Sequence, residues 1–168
     1  MSQPTTGTET EALLASLNAQ RRHVLGILAD LSDEDLRRPV LPSGWTCIGM
    51  VRHLTFDVER FWFRGIVAGE PIDLEVTDDA IWNVRADRQV ASVLEEYRQE
   101  TKHASAIIAA TAPDAPPAWW PEELFPGFRL HTLREIVLHV ITETACHAGH
   151  LDAVRELIDG RTWLVLTE

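Results

Sequence analysis

The sequence predicts an all-α fold, an antiparallel four-helix bundle with long connections, in a single domain over residues 1–168. Three observations predict it. Four segments carry apolar residues at helical spacing, no segment alternates with the two-residue rhythm of a strand, and stretches rich in proline and glycine separate the four.

The first segment runs from about Thr8 to Asp30, with Leu14, Leu17, Val24, Leu28 and Leu31 on one stripe. LSDEDLRRPVLPSG breaks it, punctuated by Pro39, Pro42 and Gly44. A second helix begins near Trp45 or Thr46 and ends near Gly69, its apolar face made by Cys47, Met50, Val51, Leu54, Val58, Phe61 and Trp62. Residues 70–86 read as a connection with a short turn around Ala80–Val84. The third helix covers Arg88 to Thr111, turning Val90, Val93, Leu94, Tyr97, Ala104, Ile107 and Ile108 inward. APDAPPAWWPEELFPGFRL follows, with five prolines and four aromatics, a proline density that excludes a regular helix. The fourth helix is the best marked: Thr132 and Glu135 form a capping box and Gly160 closes the end. The tail RTWLVLTE reads as extended and is too short to define a sheet.

Composition sets the outer bounds. Hydrophobic residues at 45% and charged residues at 24% suit a globular chain rather than a disordered one. With 15 basic against 26 acidic residues the formal charge is −11, and no basic cluster offsets it, which argues against nucleic acid and anionic membrane as partners. The opening MSQPTTGTETEA lacks the basic and apolar regions of a signal peptide, and no apolar run reaches the roughly 20 residues of a membrane span. Cys47 and Cys146 do not make a disulfide framework. The expected location is the cytoplasm.

On the fourth helix Ile136, Val140, Glu143, His147, His150, Val154 and Leu157 recur at spacings of 4 and 3, the pattern of a core seam. Its three middle positions are ionisable. At about 100° per residue they lie within roughly 60° of one another. A buried polar group left without a partner costs about 1–3 kcal/mol, and a bare carboxylate more. Two arrangements satisfy them: a divalent cation taking imidazole nitrogen and carboxylate oxygen, or a polar cluster closed by water and cross-helix hydrogen bonds. His139, one turn above Glu143, competes for a place in the ladder. A ligand from another helix would complete a cation site. His53, at the border of the apolar face of helix two with Asp57 one turn on, is the candidate.

GWTCIGMVRHLTFDVERFWF resembles the second helix of the DinB-like metal-binding four-helix proteins, where a Trp-led helix carries a metal histidine in an HL pair. LREIVLHVITETACHAGHLDAVRELIDG resembles their last helix, and ETACHAGHLD is close to the subgroup of mycothiol-dependent transferases and maleylpyruvate isomerases. The layout matches over nearly the whole chain, and about 45 residues carry the specific part. The resemblance implies three metal ligands, His53, Glu143 and His147, on one zinc or nickel ion. Many members have histidine where this chain has Glu143, and glutamine where it has His150.

What the resemblance implies is a divalent-metal-dependent transferase that activates a low-molecular-weight thiol, of mycothiol or bacillithiol type, for attack on a small electrophile. The residues beside the ligands are the candidates for the chemistry: Asp57 or His150 to position the proton, and Arg60 to pair with a substrate carboxylate. A metal-dependent hydrolase and a non-catalytic metal-binding stress-response bundle are the alternatives. Cys47 and Cys146 read as small buried hydrophobes, and Phe61 and Trp62 as packing. Trp119, Trp120, Phe125 and Phe128 either line a substrate pocket or pin their own loop. No phosphate loop or serine elbow is present. Six tryptophans in 168 residues suggest a homodimer.

Overall fold

The computed structural model describes residues 6–73 and 81–163, with residues 6–8 described by their backbone alone. Helix α1 spans Thr6–Leu28, and the short α2 spans Asp33–Arg37. Helix α3 spans Cys47–His53 and continues without interruption as a π-helix over Leu54–Val67. Helices α4, Val90–Ala110, and α5, Leu133–Asp159, complete the bundle. No strand occurs among the described residues, and none of the described helices is long and apolar enough to cross a membrane.

The ends obey local chemistry. Thr46 Oγ1 accepts from Gly49 N at 3.1 Å and starts α3, and Thr132 Oγ1 accepts from Glu135 N at 3.3 Å and starts α5. Gly160, at φ 76°, ends α5 in the left-handed region that costs glycine nothing. Within the stretch expected to be a break, Ser32 caps α2 by accepting from Asp35 N at 3.1 Å. Five residues suffice for that turn because Leu36 is buried beneath it.

Side-chain pairs give the directions. Glu9 meets Arg134 and the Ile27 carbonyl meets Arg155, so α1 and α5 run parallel. Arg60 meets Glu100 while Arg64 reaches Glu100 and, through Glu70, His103, so α3 and α4 also run parallel. His53 faces His147 and Trp62 faces His139, so α3 and α5 are antiparallel. The order is therefore up, down, down, up. A parallel α3–α4 pair needs a connection that returns along the whole bundle, which is the reason for the long 68–89 segment. Residues 74–80 of it, with Ala80 of the expected turn, lie outside the described residues, as do residues 164–168 of the tail. Of that turn residues 81–84 are described, with Ile81 and Trp82 in a single helical turn.

One core fills the bundle, with Leu17, Phe63, Tyr97, Ile108, Ile136 and Leu151 all excluded from solvent. Through it passes an ion pair that apolar spacing gave no hint of. Arg21 and Glu59, 4% and 1% exposed, join α1 to α3 by two bonds of 2.7 and 2.5 Å.

The seam expected on α5 holds at its two ends, where Ile136, Val140 and Val154 are buried, and is rotated between them. There the core takes Thr144, Ala148 and Leu151 in place of Glu143, His147 and His150, with Leu133, Val137, Asp152 and Arg155 buried as well. Thr144 and Ala148 are small enough to face the core, and Thr144 returns its hydroxyl to the Val140 carbonyl at 2.8 Å. Glu143 and His147 consequently sit on the flank that faces α3. His150 is exposed, and Leu157, expected inside, is 63% exposed. Cys146 is likewise exposed rather than buried, because it lies on the outer face that this rotation leaves to solvent, whereas Cys47 is core.

Candidate metal centre and its pocket

The widening of α3 begins at the residue after His53. Ala68 N donates to Phe63 O, five residues back, at 3.0 Å, the bond that defines a π-turn. Apart from Gly65, the buried residues of this stretch come in pairs every fourth position: Leu54/Thr55, Val58/Glu59, Trp62/Phe63 and Ile66/Val67. Insertions of this kind gather at functional sites.

Across the α3–α5 interface, His53 Nε2 lies 3.2 Å from His147 Nε2 and 3.9 Å from Glu143 Oε1. His147 Nε2 lies 3.0 Å from Glu143 Oε1. Among the described residues these three form the one group that offers donor atoms all within 4.8 Å of one another. Donors bound tetrahedrally at about 2.0–2.1 Å stand about 3.3 Å apart, so the observed spacings fit a small divalent ion, as does the donor set of two imidazoles and a carboxylate. Three such ligands on a tetrahedral ion would leave a further position open.

Each imidazole has a partner on its other side. Asp57 Oδ2 is 2.8 Å from His53 Nδ1. An ionised carboxylate only accepts, so the His53 proton belongs on Nδ1 and the lone pair on Nε2 faces the cluster. His150 Nδ1 is 3.5 Å from His147 Nδ1, on the side of the ring away from the convergent atoms. Burial, with His53 beside it, holds the His147 imidazole below the usual histidine range, favouring the neutral form a ligand needs. Trp82 stacks on His53 at 4.7 Å and 17°. It reaches that place because Gly49 has no Cβ: one there would lie 2.5 Å from the Trp82 carbonyl oxygen. Nothing in the spacing of the connection marked Trp82.

The cluster opens on a cavity of about 520 Å³, within the size range of small-molecule sites. His53, Asp57 and Glu143 form its polar wall, and Phe56, Phe61, Trp62 and Phe125 its aromatic one. Phe61 and Trp62 thus face a pocket as well as packing. The proline-rich loop supplies Phe125, which stacks on Trp62 at 5.6 Å and 23°, while Trp120 and Phe128 brace it at 5.5 and 6.0 Å. His139 lies on the cavity wall, its ring 4.6 Å from Trp62, and burial lowers its pKa. It is not one of the three convergent groups.

Arg60 also lines the cavity, but its Nε and Nη2 are bonded to Glu100 Oε2 at 3.0 and 2.8 Å. Of the residues singled out from sequence, His53, Glu143, His147 and Asp57 converge. His150 stands behind them, and Arg60 stands across the pocket in an ion pair.

A model of the family described as Mycothiol-S-transferase matches residues 12–160. No curated protein and no solved structure matches the chain.

Proposed function

Because the chain belongs to the Mycothiol-S-transferase family, we propose that it transfers a low-molecular-weight thiol of mycothiol type to a small electrophile, with a divalent cation, zinc or nickel, held by His53, Glu143 and His147. The observation that carries this reading is the convergence of two Nε2 atoms and one carboxylate oxygen within 3.9 Å at the wall of an aromatic cavity. When bound, the cation supplies positive charge that favours the anionic form of a thiol.

The remaining work falls to the chain's own residues. Asp57 keeps the proton of His53 on Nδ1 and so keeps Nε2 available, and His150 can accept from His147 Nδ1 in the same sense. Asp57 Oδ1, the oxygen not engaged by His53, takes the thiol proton and releases it to solvent. Phe61, Trp62 and Phe125 exclude water from the wall where the electrophile lies. Glu143, 38% exposed, brings one negative charge that offsets part of the cation's and so leaves the site able to release product.

The test is turnover of an electrophile by metal-loaded protein with and without mycothiol or bacillithiol. The expected result is turnover that needs both the metal and the thiol. Equal rates in the two conditions would overturn the proposal.

A further inference from the structure

The cavity's charges and rings bear on what the electrophile is, an inference that rests on the thiol-transfer reading. The guanidinium that would greet a carboxylate is already committed. Arg60 spends two donors on Glu100 Oε2, and Glu100 is 5% exposed. Arg64 stands 3.6 Å from the same oxygen and binds Glu70 at 2.6 Å. The two arginines are thus balanced by two glutamates. On the opposite wall the two carboxylates of Asp57 and Glu143 match the charge of one divalent ion. No positive charge remains in excess for an anionic substrate, which would meet the carboxylates of Asp57, Asp73 and Glu143 on the cavity lining while losing its water.

The rest of the wall is mostly apolar, with Val58, Ile72, Ile81 and Leu124 beside the rings of Phe56, Phe61, Trp62 and Phe125. Phe56 lies under the Arg60 guanidinium at 4.4 Å, so this half-buried arginine of the cavity lining is also capped by a ring. Phe61 meets Phe125 at 5.9 Å and 64°, and Phe125 meets Trp62 at 5.6 Å. Rings arranged edge to face and offset offer both faces and edges to a further ring.

We infer that the electrophile this pocket selects is an uncharged planar aromatic, and that a carboxylated aromatic is rejected because Glu100 already neutralises Arg60. The reaction on a halogenated ring balances without oxidant or reductant. The thiol sulfur bonds to the ring carbon, the carbon–halogen bond breaks, halide leaves with the electron pair, and the thiol proton passes through Asp57 to solvent.

Binding of unreactive ligands tests this apart from turnover. Calorimetric titration of metal-loaded, thiol-free protein with 1,3-dinitrobenzene and with 3,5-dinitrobenzoate should show the neutral compound binding at least tenfold more tightly. Equal affinity, or a preference for the carboxylate, would overturn the inference. Glu100→Gln releases Arg60 and should raise dinitrobenzoate affinity at least fivefold while moving dinitrobenzene by less than twofold; an unchanged ratio in the folded variant counts against the role of Glu100. Phe125→Ala, in the surface loop, should weaken dinitrobenzene at least fivefold, and full affinity would refute the aromatic wall. Turnover of 1-chloro-2,4-dinitrobenzene against 4-chloro-3,5-dinitrobenzoate separates the two levels. Absence of thiol transfer with the binding preference intact refutes the transferase reading and supports this one, whereas transfer that favours the carboxylate refutes this one alone.

Discussion

Removing the carboxylate behind His53 probes whether the three convergent side chains act as a metal site. Asp57 Oδ2 accepts from His53 Nδ1 at 2.8 Å, the arrangement that fixes a ligand's tautomer and raises its basicity. Losing such a partner weakens metal binding by about 10–100-fold, or about 1.4–2.7 kcal/mol. The two replacements should divide that range. Asn keeps an oxygen that can accept from Nδ1 but loses the charge, and the Asp57 side chain is 36% exposed, so solvent screens part of what is lost. Asp57→Asn should therefore fall near tenfold, and Asp57→Ala, which removes the acceptor as well, near a hundredfold. Competition with a chromogenic chelator measures both, with circular dichroism reporting the fold. His147→Ala in the same assay should lose stoichiometric binding, since it removes a donor outright. Metal affinity of Asp57→Ala equal to that of the unaltered protein would refute the reasoning and reduce the bond to an incidental surface pair.

Glu59→Ala should destabilise the protein by about 3–5 kcal/mol in urea unfolding, because it strands Arg21 in the core. Burial pushes the Glu59 carboxyl up despite Arg21, so desolvation offsets much of the pair's attraction; Arg21→Met with Glu59→Leu should recover most of that loss, and a double variant as unstable as the single would refute this account. Iodoacetamide should label Cys146 in the native protein but Cys47 only after denaturation, burial having pushed the Cys47 thiol up to about 11; rapid native labelling of both would contradict the packing. In chelator, burial holds His139 and His147 below their unfolded values, so as pH falls past about 6.5 the unfolded chain gains protons first and stability drops. A melting temperature constant from pH 8 to 5 would refute that linkage. At neutral pH, adding metal should raise the melting temperature, since the site exists only in the folded state, and no shift on adding zinc or nickel would argue for a purely hydrogen-bonded cluster.

Much of the helix layout is legible in the chain because its causes are local. Thr46, Thr132 and Gly160 cap whichever helix they flank, and apolar residues three and four apart mark a buried stripe before any partner is known. Ser32 was equally readable as a cap for α2, but a five-residue helix gives no periodicity to confirm it. The widening of α3 from Leu54 onward was not legible, since apolar spacing does not report which carbonyl each backbone N–H meets.

By itself the sequence determined that the fold is all-α, where the main helices start and stop, and that Glu143 and His147 share one face of the last. Backbone capping and side-chain period decide those things within a few residues of each other. Only the tertiary structure decided which face of α5 meets the core, that α1 and α5 run parallel, and that Arg21 finds Glu59 38 residues away. It alone brought His53 within 3.2 Å of His147 across 94 residues of chain, and folded Phe125 over the resulting pocket. Such contacts depend on helix rotation and on how closely residues as small as Thr144 and Ala148 let two helices approach. Those quantities are set by the packing of the whole core rather than by any one segment.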